Sequence, residues 1–498
     1  MHGIHSQSSR AIKRFHQAAL LVISITALLT IGAQAQVQLI KLSTDTFTNT
    51  NSQHMTEVEP DTYAFGNTIV SAFQVGRIFD GGSSDIGFAT SNDGGLTWTN
   101  GFLPGLTTFF EGGKYSAASD PAVAYDPVHG VWMICTLGLA SQNVVLVSTS
   151  TDGINWNNPI TVNSNTSFAD KNWIVCDDFA SSPFYGNCYV EWDDAFGGEQ
   201  MKMSRSTDGG KTWSAAVNVR NAFGLGGQPV VQPNGTVVVA YEGSGIQAYT
   251  STDGGLTWNS PVTIASINDH FVAGNLRTQP LPSAEVDGAG TVYVAWQDCR
   301  YRTSCTANDI VISTSTDGVS WSAVHRVPLD PLTSTRDHFI PGLAVDKSTS
   351  GATARLALTY YFYQVANCST STCKLGVGYT TSSNGGRTWT TSLVLAGPMQ
   401  LSWLPTTTLG PMVGDYISSS FVNGHIAYGV FAKALAPVGS VFNEAMYTKK
   451  SGLTLEDFAG GAYLSSAADR PIPGAHSDHG PRPYLDDEGR VPRPPERD

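Results

Sequence analysis

Six short polar turns, each closed by a tryptophan, recur along this chain. They are SNDGGLTW at 91–98, STDGINW at 150–156, STDGGKTW at 206–213, STDGGLTW at 251–258, STDGVSW at 315–321 and SNGGRTW at 383–389. Their third residues (Asp93, Asp152, Asp208, Asp253 and Asp317) and the sixth copy's Asn384 lie between 45 and 67 residues apart. Self-similarity at such a period defines the architecture before any single residue does. A short strand such as DIGFATS, VVLVSTS or DIVISTS precedes each turn, and a weaker one such as PITV or PVTIA follows. Upstream, stretches such as DPAVAYDPVHGVWMICTLG and LPSAEVDGAGTVYVAW read as two further strands joined by an Asp/Gly turn. Four short antiparallel strands per unit, with no long stretch of helical period, predict an all-β protein of the β-propeller class. A seventh unit, MVGDYISSSFVNGHIAYGVFA with NEAMYTKK, lacks the turn, and VQLIKLS near the N-terminus is placed to supply its outer strand. Seven four-stranded blades are expected, with six as the alternative.

In each turn the Asp or Asn can accept bonds from neighbouring backbone N–H groups, Gly supplies the left-handed conformation and Trp packs beneath. Six equivalent copies around a ring do not converge on one point. They read as scaffold.

Residues 1–35 read as a signal peptide: Arg10, Lys13 and Arg14 precede the apolar AALLVISITALLTIG, and AQA offers small residues for cleavage. A membrane anchor is the alternative for this segment, and no later apolar run is long enough to span. The domain is expected over 36–455, and 456–498 as a mostly disordered tail, since the last 28 residues carry seven prolines. A net charge of −13 argues against a general nucleic-acid surface. Among seven cysteines, Cys299/Cys305 and Cys368/Cys373 each close a short loop, and Cys176 and Cys188 sit on neighbouring strands. Three local disulfides, with Cys135 left over as a small buried hydrophobe, suit an oxidising compartment and a secreted protein. No zinc-type spacing is present, so no metal or other cofactor is expected.

These turns resemble the Asp-box, or BNR, repeat of sialidases and related propellers. The resemblance implies hydrolysis of terminal sialic acid, with the boxes on the face opposite the active site. It further implies three arginines gripping the sugar carboxylate, a Tyr nucleophile assisted by Glu, and an Asp acid/base. Arg277, Arg300 and Arg336 fall in loops of consecutive units and match the clamp, with Arg77 able to join from across the ring. Tyr360 or Tyr361, Glu242 and Asp120 match the remaining roles. Two departures stand out. The family's Arg-Ile-Pro signature is replaced by GRIF, with Phe79 at the proline position, and sialidase domains have six blades.

The repeated Asp-His-Phe at 269–271 and 337–339 occupies equivalent loops. Repetition favours a structural role, although His beside a carboxylate also suits a lyase or hydrolase acting on uronic acids. The expected function is thus a secreted, monomeric sialidase-like hydrolase acting on anionic glycans. The alternatives are a non-catalytic propeller binding glycan or protein, and a polysaccharide lyase or non-sialic glycosidase on the same scaffold.

Overall fold

The computed structural model describes residues 37–454 and 463–472. The proposed signal peptide at 1–35 and the segment after 472 lie outside the described residues. The described residues from Leu39 onward form one all-β unit. Among the described residues no helix is long and apolar enough to cross a membrane.

The strands follow the repeat. Four consecutive strands, each hydrogen-bonded to the next, form separate sheets that begin with Ala169–Cys176, Leu225–Val231, Ser283–Val286 and Asp337–Val345. The meanders beginning with Glu57–Phe65 and Ala117–Asp126 merge into one larger sheet through the single pair Ser83↔Ala118. The last sheet holds Ser418–Val422, Ile426–Ala434 and Glu444–Lys449, and its outer strand is Leu39–Lys41, with Leu39 opposite Lys449. The N-terminal segment therefore completes the unit that lacks the turn, as its sequence predicts. Each leading strand packs beside the leading strand of the next meander, and Ser418–Val422 packs back against Glu57–Phe65. Apolar side chains fill the spaces between neighbouring sheets, for example Val230, Val238 and Ala240 against Val292, Val294 and Trp296.

The Asp-box turns are built as expected. In the first, the Ser91 hydroxyl donates to Asp93 Oδ1 at 2.7 Å, and that oxygen also accepts from the amides of Leu96 and Thr97 at 3.0 and 2.9 Å. The Trp98 indole donates to the Gly95 carbonyl at 3.1 Å, and Gly95 adopts φ +90° against the Tyr428 ring, where no side chain fits. Asn384 in the sixth copy reproduces the pattern with its amide.

These bonds favour the carboxylate over the acid. The Thr97 hydroxyl and amide pull Asp93 down to about 2, and the Ser320 and Val319 amides do the same for Asp317. In Asp152, Asp208 and Asp253 burial opposes the shift, but the hydrogen bonds outweigh it. A folded pKa below the unfolded value of about 3.9 gives stability that is present above pH 4 and lost as pH falls toward 2. The melting temperature is expected to drop steeply between pH 4 and pH 2. Asp208→Asn, which installs the sixth copy's residue, should make that drop shallower. Superimposable pH profiles for the two proteins would remove the boxes from the acid response.

Disulfides join Cys176 to Cys188, Cys299 to Cys305 and Cys368 to Cys373, and Cys135 is unbridged and buried. Beyond the boundary expected at 455, Tyr463–Leu464 pairs with Trp389–Thr390, Asp469 approaches Arg326 at 3.4 Å, and the Ile472 amide donates to the Arg300 carbonyl at 2.8 Å. The segment 463–472 is thereby fastened to the sheets.

Candidate functional site

The Asp boxes lie between the third and fourth strands of their meanders, so the other edge of the sheets holds the start of each leading strand and the end of each second strand. There five leading strands break register at the same level: between Val58 and Asp61, Ser119 and Ala122, Asp170 and Trp173, Leu225 and Gln228, and Phe339 and Pro341. Each break holds a residue of left-handed backbone, Glu59, Asp120, Lys171, Gly226 or Ile340, with φ between +47° and +65°. A bulge re-aims the side chain it carries. Four of these residues are not glycine, and such conformations cost of order 1–3 kcal/mol each and cluster where structure serves function.

Three of the re-aimed side chains meet in one buried network. Lys171 Nζ lies 2.6 Å from Asp415 Oδ2, 3.4 Å from Asp120 Oδ1 and 4.0 Å from Glu59 Oε1. Arg277 grips Asp415 with a fork, its Nε 2.8 Å from Oδ1 and a terminal nitrogen on Oδ2. The Asp415 amide donates to Glu59 Oε1 at 3.1 Å. Gln74 donates to Glu59 Oε2 and, at 3.1 Å, to the Ser119 hydroxyl, while its own carbonyl accepts from Arg77 at 2.8 Å. All six charged groups are buried, and three cations balance three carboxylates. Behind them Glu191 is fully enclosed, and burial together with the Asp120 charge pushes its carboxyl well above the usual range. Gly227 makes room for it: a Cβ there would meet Glu191 Oε2 at 2.4 Å.

Above the network opens a slot lined by Lys171, Asn172, Trp173, Gln228, Asp415 and Tyr416 among others. Its enclosed part measures about 20 Å³, room for about one ordered water, and about 450 Å³ when the mouth is counted. Trp173 and Tyr416 meet edge to face at the mouth with ring centres 4.9 Å apart, and Tyr416 donates to the Pro121 carbonyl at 3.1 Å.

Of the residues selected from sequence, Arg77, Asp120 and Arg277 come together here. The others have different surroundings. Arg300 forks onto Asp298, two residues away, at 2.9 and 2.7 Å, donates to the Ser266 carbonyl and lies over Trp296. Arg336 donates to Gln364 Oε1 at 3.0 Å and covers Phe362. Glu242 ends its strand opposite Leu225 and Ile246. The Tyr361 ring is fully buried, its hydroxyl donates to the Ala432 carbonyl at 2.9 Å, and burial raises its phenol well above the ordinary value. Tyr360 is likewise buried, packed against His338.

The two Asp-His-Phe segments are sewn together by Asn308. Its side chain accepts from the His270 amide and donates to the His270 carbonyl, both at 2.7 Å, and its own amide donates to Asp337 at 2.7 Å. Side-chain donor atoms of Asp309, Asp330 and His338 lie within 4.8 Å of one another, the spacing of a metal site. Arg302 and Arg326 already sit on both carboxylates at 2.5–2.9 Å, so this donor set serves two guanidinium groups and does not suit a cation.

Sequence reasoning passed over Glu59 and Asp415 and left Lys171 without a role. One signal was in reach: Glu59, Asp120 and Ile340 each precede a proline at the start of an apolar strand.

Residues 184–398 match the model of the BNR repeat-like domain. No curated protein matches the chain. Among solved structures, an ulvan lyase of a polysaccharide lyase family is similar over 85% of this chain and 99% of its own, at 12% identity and a TM-score of 0.48. The NanB sialidase from Streptococcus pneumoniae is similar over 87% and 73%, at 14% identity and TM-score 0.43. A Hadza microbial sialidase is similar over 81% of this chain and 66% of its own length, at 13% identity and TM-score 0.43. Over residues 184–398, then, the chain carries a BNR repeat-like domain.

Proposed function

We propose that this chain is an exported, seven-bladed BNR propeller that binds a glycan across the mouth of its central slot and does not cleave it. The blade count takes the larger sheet as two blades and the closing sheet as the seventh. Three disulfides support an oxidising destination.

One observation carries the non-catalytic reading: every clamp arginine is already committed to a partner within the protein. Arg277 is neutralised by Asp415, Arg300 by Asp298, and Arg336 leans on Gln364 and Phe362. At Arg277 or Arg300 a sugar carboxylate would have to displace a buried carboxylate, leaving an unpaired charge behind at several kcal/mol, whereas at Arg336 it would meet only the exposed, neutral Gln364. What the mouth does offer is the partly exposed Trp173 beside the Gln228 amide, a flat apolar face next to a polar group, which is the composition of a saccharide contact. A second reading, sialidase-like hydrolysis, rests on Glu191, whose carboxyl is pushed up by burial and by the Asp120 charge, as an acid beside Asp120.

A glycan array followed by calorimetry, run beside a fluorogenic sialoside assay, separates the two. Binding without fluorophore release is expected. Trp173→Ala should weaken binding at least about tenfold, a loss of roughly 1.4 kcal/mol, while Trp173→Phe should retain it. Release of fluorophore by the wild type, abolished in Asp120→Asn, would replace this proposal with the hydrolase.

A further inference from the structure

A second pocket lies on the other edge of the sheets, between the first two Asp boxes. It measures about 330 Å³ where the slot encloses about 20 Å³. Its floor is a stair of aromatic rings: Phe65 lies 4.5 Å from Tyr125, and Tyr125 lies 4.7 Å from Trp132, between centres. Its rim is polar, formed by Thr68, Asn92, Thr151 and Asp152.

Two positions here differ from most of the repeat. In four other meanders an aspartate at the end of the leading strand caps the following turn, while the fourth and the last carry Gln232 and Asn423 at that place. Asp126 accepts from the Val128 and His129 amides, Asp177 from Phe179, Asp287 from Ala289 and Thr291, and Asp346 from Ser348. The first meander gives up that cap and places Phe65 there, 39% exposed over the pocket. In the boxes, the second position is Thr151, Thr207, Thr252, Thr316 or Ser383, and only the first box has an amide, Asn92. Asn92 accepts from Thr68 at 2.8 Å and reaches the Asp152 carbonyl at 3.3 Å, so its side chain spans the gap between the boxes. Phe65 and Asn92 both line the one pocket.

We infer that this pocket is a separate binding site for an uncharged sugar ring. The exposed Phe65 ring, backed by Tyr125 and the buried Trp132, suits the apolar C–H face of a pyranose, and the amide and hydroxyls of the rim suit its hydroxyl groups. The volume admits one ring with room for its substituents. No Lys or Arg lines the pocket, and the Asp152 carboxylate is consumed by the Ile154 and Asn155 amides of its own turn at 2.8 and 2.7 Å. The pocket therefore has nothing to offer an anionic sugar. This inference stands on its own residues and survives failure of the slot reading.

Saturation-transfer NMR on the full chain tests it. The probes are methyl β-glucoside, methyl β-galactoside, methyl α-mannoside and N-acetylglucosamine, with methyl β-glucuronide as the anionic comparison. Transfer to at least one neutral probe is expected, persisting in Trp173→Ala and falling at least about fivefold in both Phe65→Ala and Asn92→Thr. Phe65 is partly exposed, and Asn92→Thr installs the residue most other boxes use, so a thermal melt near wild type should accompany both. Three results would each overturn the assignment: no transfer to any neutral probe, transfer indifferent to both substitutions, or stronger transfer to the glucuronide.

Discussion

Arg302→Ala is expected to lower the melting temperature by roughly 5–15 °C, the consequence of about 3–5 kcal/mol for breaking a buried charge network. Arg302 is 1% exposed and uses its whole guanidinium. One edge forks onto Asp309, with Nε at 2.8 Å, and a terminal nitrogen also reaches Asp330 at 2.7 Å. The other terminal nitrogen donates to the carbonyls of Pro331, Leu332 and Ser334 at 3.0–3.2 Å. Alanine would leave Arg326 alone between two buried carboxylates and strip three carbonyls of their donor. Lysine carries the charge but not the fork, so Arg302→Lys should recover only a small part of the loss. Arg336→Ala is the comparison, since Arg336 is half-buried and its one side-chain hydrogen bond, to the exposed Gln364, should count for about 1 kcal/mol. Equal melting temperatures for Arg302→Ala and Arg336→Ala would show that the network contributes little.

Asp415→Asn should have an effect of the same order, about 3–5 kcal/mol in urea unfolding, for a related reason. Asp415 is the shared anion of Lys171 and Arg277, and it ties the last meander to segments of the third and fifth. Asparagine keeps the shape and removes the charge, leaving two buried cations with the remaining carboxylates. The sign can be checked internally: in the Asp415→Asn background, Arg277→Gln should restore part of the stability it costs when made alone, because it removes the orphaned charge. Strictly additive losses would mean that the two groups are not coupled. Since Tyr416 adjoins Asp415 and meets Trp173, weaker glycan binding should accompany the loss of stability.

The repeat was legible because each box is local. Ser, Asp, Gly and Trp within eight residues satisfy one another, so their spacing alone describes the turn. The short-range disulfides were readable for the same reason, and so was the closing strand, whose apolar pattern lacked a partner. The charged site was only partly legible because its contacts are not local. Asp415 lies in the unit without a box and meets Arg277 across 138 positions of sequence. Arginines in equivalent loops looked alike, yet Arg300 found a carboxylate two residues away while Arg277 reached the network. Tyr361 was selected from LALTYYFY, a strand buried along its whole length. Alternation cannot tell which face of such a strand looks toward the slot and which toward the next sheet.

The pairing of Leu39–Lys41 with Glu444–Lys449 also bears on how the molecule is made. Joining segments roughly 400 residues apart makes it the most non-local strand pairing among the described residues. Early meanders can assemble as they emerge during synthesis, because each buries its faces against the one before. The final sheet has to wait until residue 449 exists and the N-terminal strand is still available to receive it. High contact order makes that last step slow, and until it happens Glu444–Lys449 presents an unpaired edge open to association with other chains. A new pair of ends placed between two internal meanders would move this late step elsewhere in the ring and make the closing strand local, which should speed maturation while leaving the finished fold unchanged.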